Sequence, residues 1–324
     1  MAAYSRLQIL LPVLAAAAAI FIAACAEDNG APGPAGEVSA ERFEQINLEW
    51  RRRRAARLTE PYGWLSLVEL AVLEPGSAVT IGSAPGNDVV VDRGPPRWGT
   101  LHVEHGGDHV DFENAAGDAV VFDGRKAASG RMTAGDAEAP TRIESEGIRM
   151  HLVDPGGRLA LRVRDPQAPT RSGFVGLDYY DLKPQWRIEA EYIEHPQGRT
   201  LQVANVMGQL IEEPNPGRAR FTHDGKSIEL EAVQEDDRLF FIFADRTSGR
   251  ETYGLGRFLY ADLPDDGRVT LDFNQAYNPP CAFNAYTTCP LPPQANRIDA
   301  WIRAGERKYA GQPGIESPRT PPRP

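Results

Sequence analysis

The stretch ARFTHDGKSIELEAV, residues 219–233, decides the fold class of this protein. Apolar and polar residues alternate on both sides of Asp224-Gly225, with Phe221 before the pair and Ile228 after it. Alternation with a period of two indicates a strand with one buried face, and Asp-Gly is a preferred pair for a two-residue hairpin turn. The stretch therefore predicts an antiparallel β-hairpin.

Short runs of the same kind continue along most of the chain. From Trp64 onward they are β-branched or alternating and are bounded by Gly, Asn, Asp and Pro. We predict an all-β body, sandwich-like or barrel-like, built from short antiparallel strands. We divide it into a first β subdomain at residues 60–145 and a second at residues 146–309.

A helix is predicted at each margin of this body. Within residues 39–59, one helical face carries Phe43, Ile46 and Trp50. Residues 296–309 predict a second, short helix near the C-terminus. The arginine run of the first helix, residues 51–54, suits either contact with anionic membrane headgroups or a solvated helix face.

The first residues of the chain have the layout of an export signal. Residues 1–24 carry one positive charge at Arg6, then an apolar segment, then small residues before Cys25. Residues 22–25 resemble a bacterial lipobox, which implies that Cys25 carries a lipid anchor. An ordinary signal peptide or an uncleaved anchor helix are the alternatives. By the same resemblance, Ala26 after the cysteine favours the periplasmic face of the outer membrane, if the host has one.

Two segments outside the body have no apolar periodicity. Residues 25–38 read as a flexible tether and residues 310–324 as a disordered tail. The whole chain has 35 Lys and Arg against 45 Asp and Glu, a formal net charge of −10. This acidic balance argues against nucleic acid as a partner.

The sequence carries no recognisable catalytic motif. It contains no Gly-x-Ser-x-Gly elbow, His-Glu-x-x-His pair, Walker loop or dinucleotide fingerprint, and we predict no cofactor. His102, His105 and His109 lie near one hairpin, where histidines can bind zinc or copper. No carboxylate or thiol at ligand spacing completes such a set, so we favour exposed hairpin histidines and predict no metal.

The segment TIGSAPGNDVVV, residues 80–91, resembles the opening of a forkhead-associated domain, a β-sandwich that reads phosphothreonine. Ser83 stands where that family has an arginine, and RWGTLHV, residues 97–103, has no clear match to its Ser-Arg-x-His segment. The resemblance therefore implies sandwich geometry in the first β subdomain without the residues that bind phosphate.

Five blocks of the chain are distinctive: GWLSLVEL (63–70), IGSAPGNDVVV (81–91), TSGRETYGLGRFLY (247–260), LDFNQAYNPPCAFNAYTTCPLPPQANR (271–297) and AGERKY (304–309). Together they resemble the bacterial family called domain of unknown function 1684. The resemblance runs from about residue 42 to residue 309. The resemblance implies no activity. Together with the lipobox-like end at Cys25, it predicts that this chain is an exported lipoprotein member of the family.

Cys281 and Cys289 lie in a segment crowded with proline. In an exported protein we favour a disulfide between them, while a zinc site would need two further ligands. Buried or reactive thiols are the third possibility. Proline removes backbone donors and fixes φ, so the segment predicts an ordered loop packed on a strand.

Polar side chains are dense on both sides of this loop, and we predict a pocket in the second β subdomain that binds a small polar, anionic or carbohydrate-like ligand. Its candidate residues are Arg257, Asp272, Asn274, Tyr277 and Asn278. Arg257 lies in a β run, where an inward arginine needs a carboxylate, and Asp272 is the predicted partner.

Two other functions fit the same segment. A hydrolase acting in the cell envelope would use residues 245–278, with Ser248 as nucleophile and His223 and Asp245 as its partners. Tyr253 is a further weak candidate. A structural or partner-binding lipoprotein without a small ligand is the third reading.

Overall fold

The computed structural model describes residues 38–107, 109–134, 140–154 and 157–311. The predicted signal peptide and Cys25 lie outside these ranges. Of the predicted tether, only residue 38 is described. Of the predicted tail, only residues 310 and 311 are described. In the described parts of the chain, no helix is both long enough and apolar enough to cross a bilayer.

One long helix precedes the strands. Helix α1 spans Ala40–Leu58, which confirms the predicted helix, and its residues Phe43 and Leu58 are buried. A second helix, α2, is a single turn at Pro169–Ser172. The described residues contain nineteen strands and only these two α-helices, so the predicted all-β class is confirmed.

The first ten strands form two five-stranded sheets. Their bounds are β1 Leu67–Val72, β2 Ala78–Gly82, β3 Val89–Val90, β4 Gly99–Val103, β5 Val110–Asn114, β6 Val121–Phe122, β7 Ser129–Met132, β8 Arg142–Ser145, β9 Ile148–Val153 and β10 Ala160–Arg164. The sheet orders are β1-β10-β9-β8-β6 and β3-β2-β4-β5-β7, and only β2 and β3 pair in parallel among them. One apolar core, which includes Trp98, Phe112 and Met150, is shared by strands of both sheets.

The predicted boundary between residues 145 and 146 is wrong. It falls in the tight turn between β8 and β9, where Ser145 pairs with Ile148. Strand β10 then pairs with β1 at the start of the unit, so residues up to 164 complete the first sheet. Glu146 and Gly147 form the turn of the β8–β9 hairpin, with φ values of 48° and 81°.

The remaining strands form three smaller sheets. Their bounds are β11 Arg187–Glu194, β12 Thr200–Ala204, β13 Leu210–Pro214, β14 Gly217–His223, β15 Lys226–Glu231, β16 Val233–Glu235, β17 Arg238–Phe243, β18 Arg257–Asp262 and β19 Arg268–Asp272. The orders are β15-β14-β11-β19, β12-β13 and β16-β17-β18. Their inward faces build a second core that includes Leu230, Phe241 and Phe273.

The hairpin predicted from residues 219–233 is confirmed as β14 and β15. His223 pairs with Lys226 across a two-residue turn. Asp224 and Gly225 have φ values of 49° and 72°, the left-handed conformation that this turn requires at both positions.

The short helix predicted at residues 296–309 does not form. A 3-10 turn at Gln294–Asn296 is followed by non-helical chain up to Tyr309. Hydrogen bonds to other segments replace the helical ones. The Ile298 N–H donates to Ala244 O at 2.8 Å, and Ala300 O accepts the Arg246 N–H at 2.8 Å. These long-range bonds satisfy the backbone that a helix would have satisfied locally.

Candidate functional site

A cavity of about 570 Å³ opens between α1, the strands β16–β18 and the proline-rich loop. Its lining residues are Trp50, Arg54, Arg57, Leu58, Trp64, Glu235, Asp236, Asp237, Arg238, Phe240, Phe258, Tyr260, Gln275, Tyr277, Pro280, Thr288, Cys289 and Pro290. A volume of this size suits a small-molecule ligand, for which pockets of roughly 300–1,000 Å³ are typical.

Aromatic rings form one continuous wall of the cavity. Phe240 and Tyr260 stack with centroids 4.7 Å apart and planes 26° apart, and Tyr260 and Tyr277 lie nearly parallel at 14° with centroids 6.3 Å apart. Phe258 meets Tyr277 edge to face, and Trp50 of α1 contacts the same tyrosine at 6.1 Å. Neighbouring strands and the facing helix thus present their ring surfaces to one space.

Charged groups of both signs surround this wall. Glu235 at the end of β16 and the turn residues Asp236 and Asp237 that follow it line the cavity, and all three are exposed. Three arginines line the cavity as well: Arg54, Arg57 and Arg238. The formal charges of these six side chains cancel.

Two of the arginines lie over rings of the aromatic wall. The Arg238 guanidinium is 4.9 Å from the Tyr260 ring, and the Arg54 guanidinium is 4.6 Å from the Tyr277 ring. Arg54 is also buried and hydrogen bonds Glu306 and Asn278 O, each at 2.8 Å. Arg54 therefore holds the wall together, while Arg57 is exposed at the rim.

The arginine run of α1 divides between interior and surface. Arg51 donates to Tyr180 O at 2.9 Å, and Arg54 is interior. Arg52 and Arg53 are exposed and pair with Glu49 on the same helix. The two inner arginines are packing elements of the fold, and contact of the outer two with a membrane stays a prediction.

The two tyrosine hydroxyls of the wall are neutral over the physiological range. Burial is the main cause that raises the pKa of both Tyr260 and Tyr277 far above the usual value for tyrosine. The Tyr260 hydroxyl donates to Glu235 at the rim. Hydroxyl, carboxylate and guanidinium groups together offer donors and acceptors to a polar ligand.

The disulfide candidate forms part of the same lining. The sulfur atoms of Cys281 and Cys289 lie at disulfide distance, and their Cα atoms are 6.2 Å apart. Cys289 is buried and lines the cavity between Thr288 and Pro290. The Pro290 backbone forms a bridge with Asn205, so the loop is joined to the β12–β13 hairpin.

Of the five residues predicted to form a pocket, only Tyr277 lines this cavity. Arg257, Asn274 and Asn278 are completely buried. Asn274 binds the main chain of Lys183 through its Oδ1 and Nδ2, both at 3.0 Å. Asn278 donates from Nδ2 to Arg307 O at 2.8 Å. Each amide thus fixes a neighbouring chain segment.

The predicted pairing of Arg257 with Asp272 is wrong, because Arg257 pairs with Asp245. The distance from the Arg257 guanidinium to the Asp245 carboxylate is 3.4 Å, and both side chains are fully buried. The same guanidinium donates to Ile302 O at 2.8 Å and to Ala304 O. Asp272 instead accepts from Asn47 at 3.2 Å and from Asn274 at 2.8 Å.

The residues of the hydrolase reading serve local structure. Ser248 Oγ accepts the Asp245 N–H at 3.2 Å, and Thr247 Oγ1 donates to the Asp245 carboxylate at 2.8 Å. His223 lies against the Trp186 ring at 4.6 Å and beside Asp224. Tyr253 packs in an apolar cluster that contains Leu58 and Phe283. Ser248 and Asp245 thus contact each other, and Ser248 Oγ also donates to the Asp245 carboxylate at 3.4 Å. His223 instead contacts Trp186 and Asp224, so the three residues do not form one constellation.

Two histidines of the first β unit face carboxylates. His102 lies 3.2 Å from Glu113, and His109 lies 3.1 Å from Glu104. All four side chains are largely exposed. The described residues contain no group of three or more His, Cys, Asp and Glu arranged to hold a metal ion.

Sequence reasoning missed the lining residues Glu235, Arg238 and Tyr260, and it missed Glu306, which binds the lining residue Arg54. Glu306 is the most deeply placed of these. It is completely buried, and its second oxygen, Oε2, accepts the Asn278 N–H at 2.8 Å. The preceding Gly305 has φ 77°, and a Cβ there would lie 2.8 Å from Phe273 O. The available signal was the block AGERKY, in which a glycine precedes the only glutamate.

Comparison with known proteins assigns a family without an activity. The family model described as Protein of unknown function (DUF1684) matches residues 172–307. The chain belongs to the DUF1684 family. The match is shorter than the span of 42–309 predicted from the motifs, and no curated protein matches the chain.

The DUF1684 segment contains most of the cavity lining, from Glu235 to Pro290. Helix α1 and Trp64 complete the cavity from outside that segment. The chain is also similar to an uncharacterized protein of Haloarcula marismortui with a solution NMR structure, at 34% sequence identity. The similarity covers 42% of this chain and 78% of that one, with a TM-score of 0.36.

Proposed function

We propose that this protein binds a small, hydroxyl-rich ligand of the carbohydrate class in the cavity between α1 and β16–β18. The observation that carries the proposal is the continuous aromatic wall bordered by groups that donate and accept hydrogen bonds. A sugar ring has an apolar face of C–H groups and an edge of hydroxyls. Flat rings such as Tyr260 and Tyr277 suit the face, and Glu235, Asp237 and Arg57 suit the hydroxyls.

The charge balance of the lining favours a neutral ligand over a strongly anionic one. The lining contains three arginines and three acidic residues, and Arg54 is already paired with Glu306. The acids of the β16–β17 turn are exposed, so they add negative potential at the mouth of the cavity. A neutral polyol meets no repulsion from either sign of charge.

The place of this activity in the cell is a proposal from the first 25 residues alone. The export layout and the lipobox-like end at Cys25 support an exported protein held in the cell envelope by a lipid. A binding protein held there would meet sugars of the envelope or its surroundings. The cavity itself does not depend on this location.

Tryptophan fluorescence tests the proposal directly, because Trp50 and Trp64 line the cavity and the chain has five tryptophans. We expect at least one of maltose, cellobiose, N-acetylglucosamine and diacetylchitobiose to change the emission in a saturable way. The variant Tyr260→Leu removes one stacking face and should weaken that binding at least tenfold. Calorimetry with the same sugar gives the affinity independently of the fluorophore.

Phe122→Leu is the matched control. Phe122 is also a half-buried ring that stacks on a phenylalanine, with centroids 6.0 Å apart, but it lies in the first β unit. Its replacement should leave sugar affinity unchanged. Equal affinity in wild type and Tyr260→Leu would contradict the proposed site. Absence of binding to every sugar would favour the structural reading without a ligand.

A further inference from the structure

Basic side chains form a row across the first sheet. Arg162 of β10 pairs directly with His151 of β9, and His151 pairs with Arg142 of β8. Directly paired residues on adjacent strands project to the same face, with Cβ atoms roughly 5 Å apart. The next row of the same face adds Arg164 and Arg149, which also pair directly. Five basic residues thus share one face of one sheet.

Among the described residues, the acidic side chains near this row lie at its margins. Glu144 shares the second row but is already bound to Arg149. Glu69 lies on β1, where its carboxylate accepts the Leu70 N–H at 2.9 Å. Asp123, beyond β6, is exposed and donates its N–H to Arg142 O at 2.7 Å. Among the described residues, the Arg142 guanidinium forms no hydrogen bond or ion pair.

The electrostatics show that the basic groups repel one another. Burial and the nearby arginines 164, 162 and 142 lower the pKa of His151 to about 4. Burial and Arg162 lower the pKa of Arg164 to about 10. Like charges directly opposite one another on a sheet destabilise it. A positive patch of this kind is also at odds with a chain of formal net charge −10.

The patch is held in place from one side. Arg164 donates to Tyr62 O and Gly63 O at 2.7 and 2.8 Å. The Trp64 ring lies 5.5 Å from the guanidinium groups of both Arg162 and Arg164. These contacts position the inner arginines before any ligand binds. Arg142 and His151 are half-buried, so the row is open to solvent at the end formed by β8.

We propose that the row Arg142–His151–Arg162, with Arg164 beside it, is a binding site for a tetrahedral oxyanion, phosphate or sulfate. Guanidinium forks bind the oxygens of such ions in pairs, and a neutral histidine can donate one further hydrogen bond. A bound dianion would also remove the repulsion within the row. The site is independent of the proposed sugar site, although Trp64 borders both.

Titration with inorganic phosphate and inorganic sulfate at constant ionic strength tests the site. We expect saturable binding by calorimetry. We also expect the pKa of His151, followed by NMR of the imidazole, to rise from about 4, because a nearby negative charge favours the imidazolium. Arg142→Gln should weaken binding at least tenfold. Arg142 was chosen because its half-buried side chain has, within the part of the chain that the structure describes, no partner whose loss would unfold the sheet.

Arg131→Gln is the control, since Arg131 is an exposed arginine of the neighbouring sheet that pairs with Asp111 at 3.1 Å. It should bind phosphate as tightly as wild type. An unchanged pKa of His151 in both anions would overturn the proposal. So would equal phosphate affinity in wild type and Arg142→Gln.

Discussion

Arg54 and Glu306 form a buried ion pair, with Nε and Oε1 2.8 Å apart and both side chains almost completely shielded from water. The pair joins α1 to the last described segment, across 252 residues of sequence. Because Glu306 also accepts the Asn278 N–H, one carboxylate fixes the helix and the proline-rich loop together. Arg54 lines the cavity, so the position of this part of the lining depends on the ion pair.

Removing the charge of Glu306 should therefore destabilise the fold. Glu306→Gln keeps the shape but leaves Arg54 buried without a counter-charge, which costs about 3 kcal/mol. Urea unfolding measures the loss. Glu49→Gln breaks exposed pairs on α1 and should cost less than about 0.5 kcal/mol. Similar losses in the two variants would contradict a special role for the buried pair.

The partner of Arg257 can be tested by double-mutant cycles. Arg257→Met combined with Asp245→Asn should show a coupling of about 1 kcal/mol or more, because each change removes the same buried interaction. Arg257→Met combined with Asp272→Asn should be additive within about 0.5 kcal/mol. A larger coupling with Asp272 than with Asp245 would show that the pairing is different in solution.

His151 should make stability depend on pH. Its pKa is about 4 in the folded protein and about 6.5 in the unfolded chain. Between these values the unfolded state binds more protons, so the free energy of unfolding falls as the pH falls from about 6.5 towards 4. Urea unfolding of His151→Gln between about pH 6.5 and pH 5, above the carboxylate range, should show a shallower decline. Equal slopes for wild type and variant would contradict burial of a neutral imidazole.

The Cys281–Cys289 pair should stabilise the loop that lines the cavity. On the chain-entropy model, closing a loop of this length contributes about 2.5 kcal/mol. Replacing both cysteines by serine should lower the free energy of unfolding by about that amount, measured by denaturant. Wild type unfolded with a reducing agent is the matched comparison. If the reductant has no effect on wild type, the thiols were not joined.

Lipidation at Cys25 stays a prediction, and metabolic labelling tests it. Cells that express the full chain with a labelled fatty acid should incorporate label into wild type but not into Cys25→Ser. The variant should also appear in the soluble fraction. Label in the variant would place any acyl group elsewhere.

Local patterns predicted the elements whose hydrogen bonds are local. Asp224-Gly225 predicted the β14–β15 turn because only a few residue types tolerate positive φ at both positions. Helix α1 was predicted because its apolar spacing and its backbone bonds lie within one segment. The disulfide between Cys281 and Cys289 was favoured from the predicted export of the chain, and their sulfur atoms lie at disulfide distance.

Charge partners were not predicted, even where they lie near one another in sequence, since Arg257 and Asp245 are 12 residues apart. Arg257 begins β18 and pairs with Phe243, the last residue of β17. Asp245 lies two residues after Phe243, in the loop that joins the two strands. Asp272 pairs with Arg187 on a different sheet, so adjacency in sequence order was the wrong guide. The helix predicted at residues 296–309 failed similarly, because bonds from Ala244 and Arg257 replaced its own.

The sequence by itself determined the all-β class, the N-terminal helix, the turn positions and the family, because period, turn chemistry and motif blocks are properties of short segments. Tertiary structure alone decided which charges meet, which predicted pocket residues are interior, and that an aromatic cavity faces α1. Burying a charge is costly unless an opposite charge or a set of carbonyls meets it. Chain topology chooses that partner, and neither residue of the pair carries a local sign of the choice.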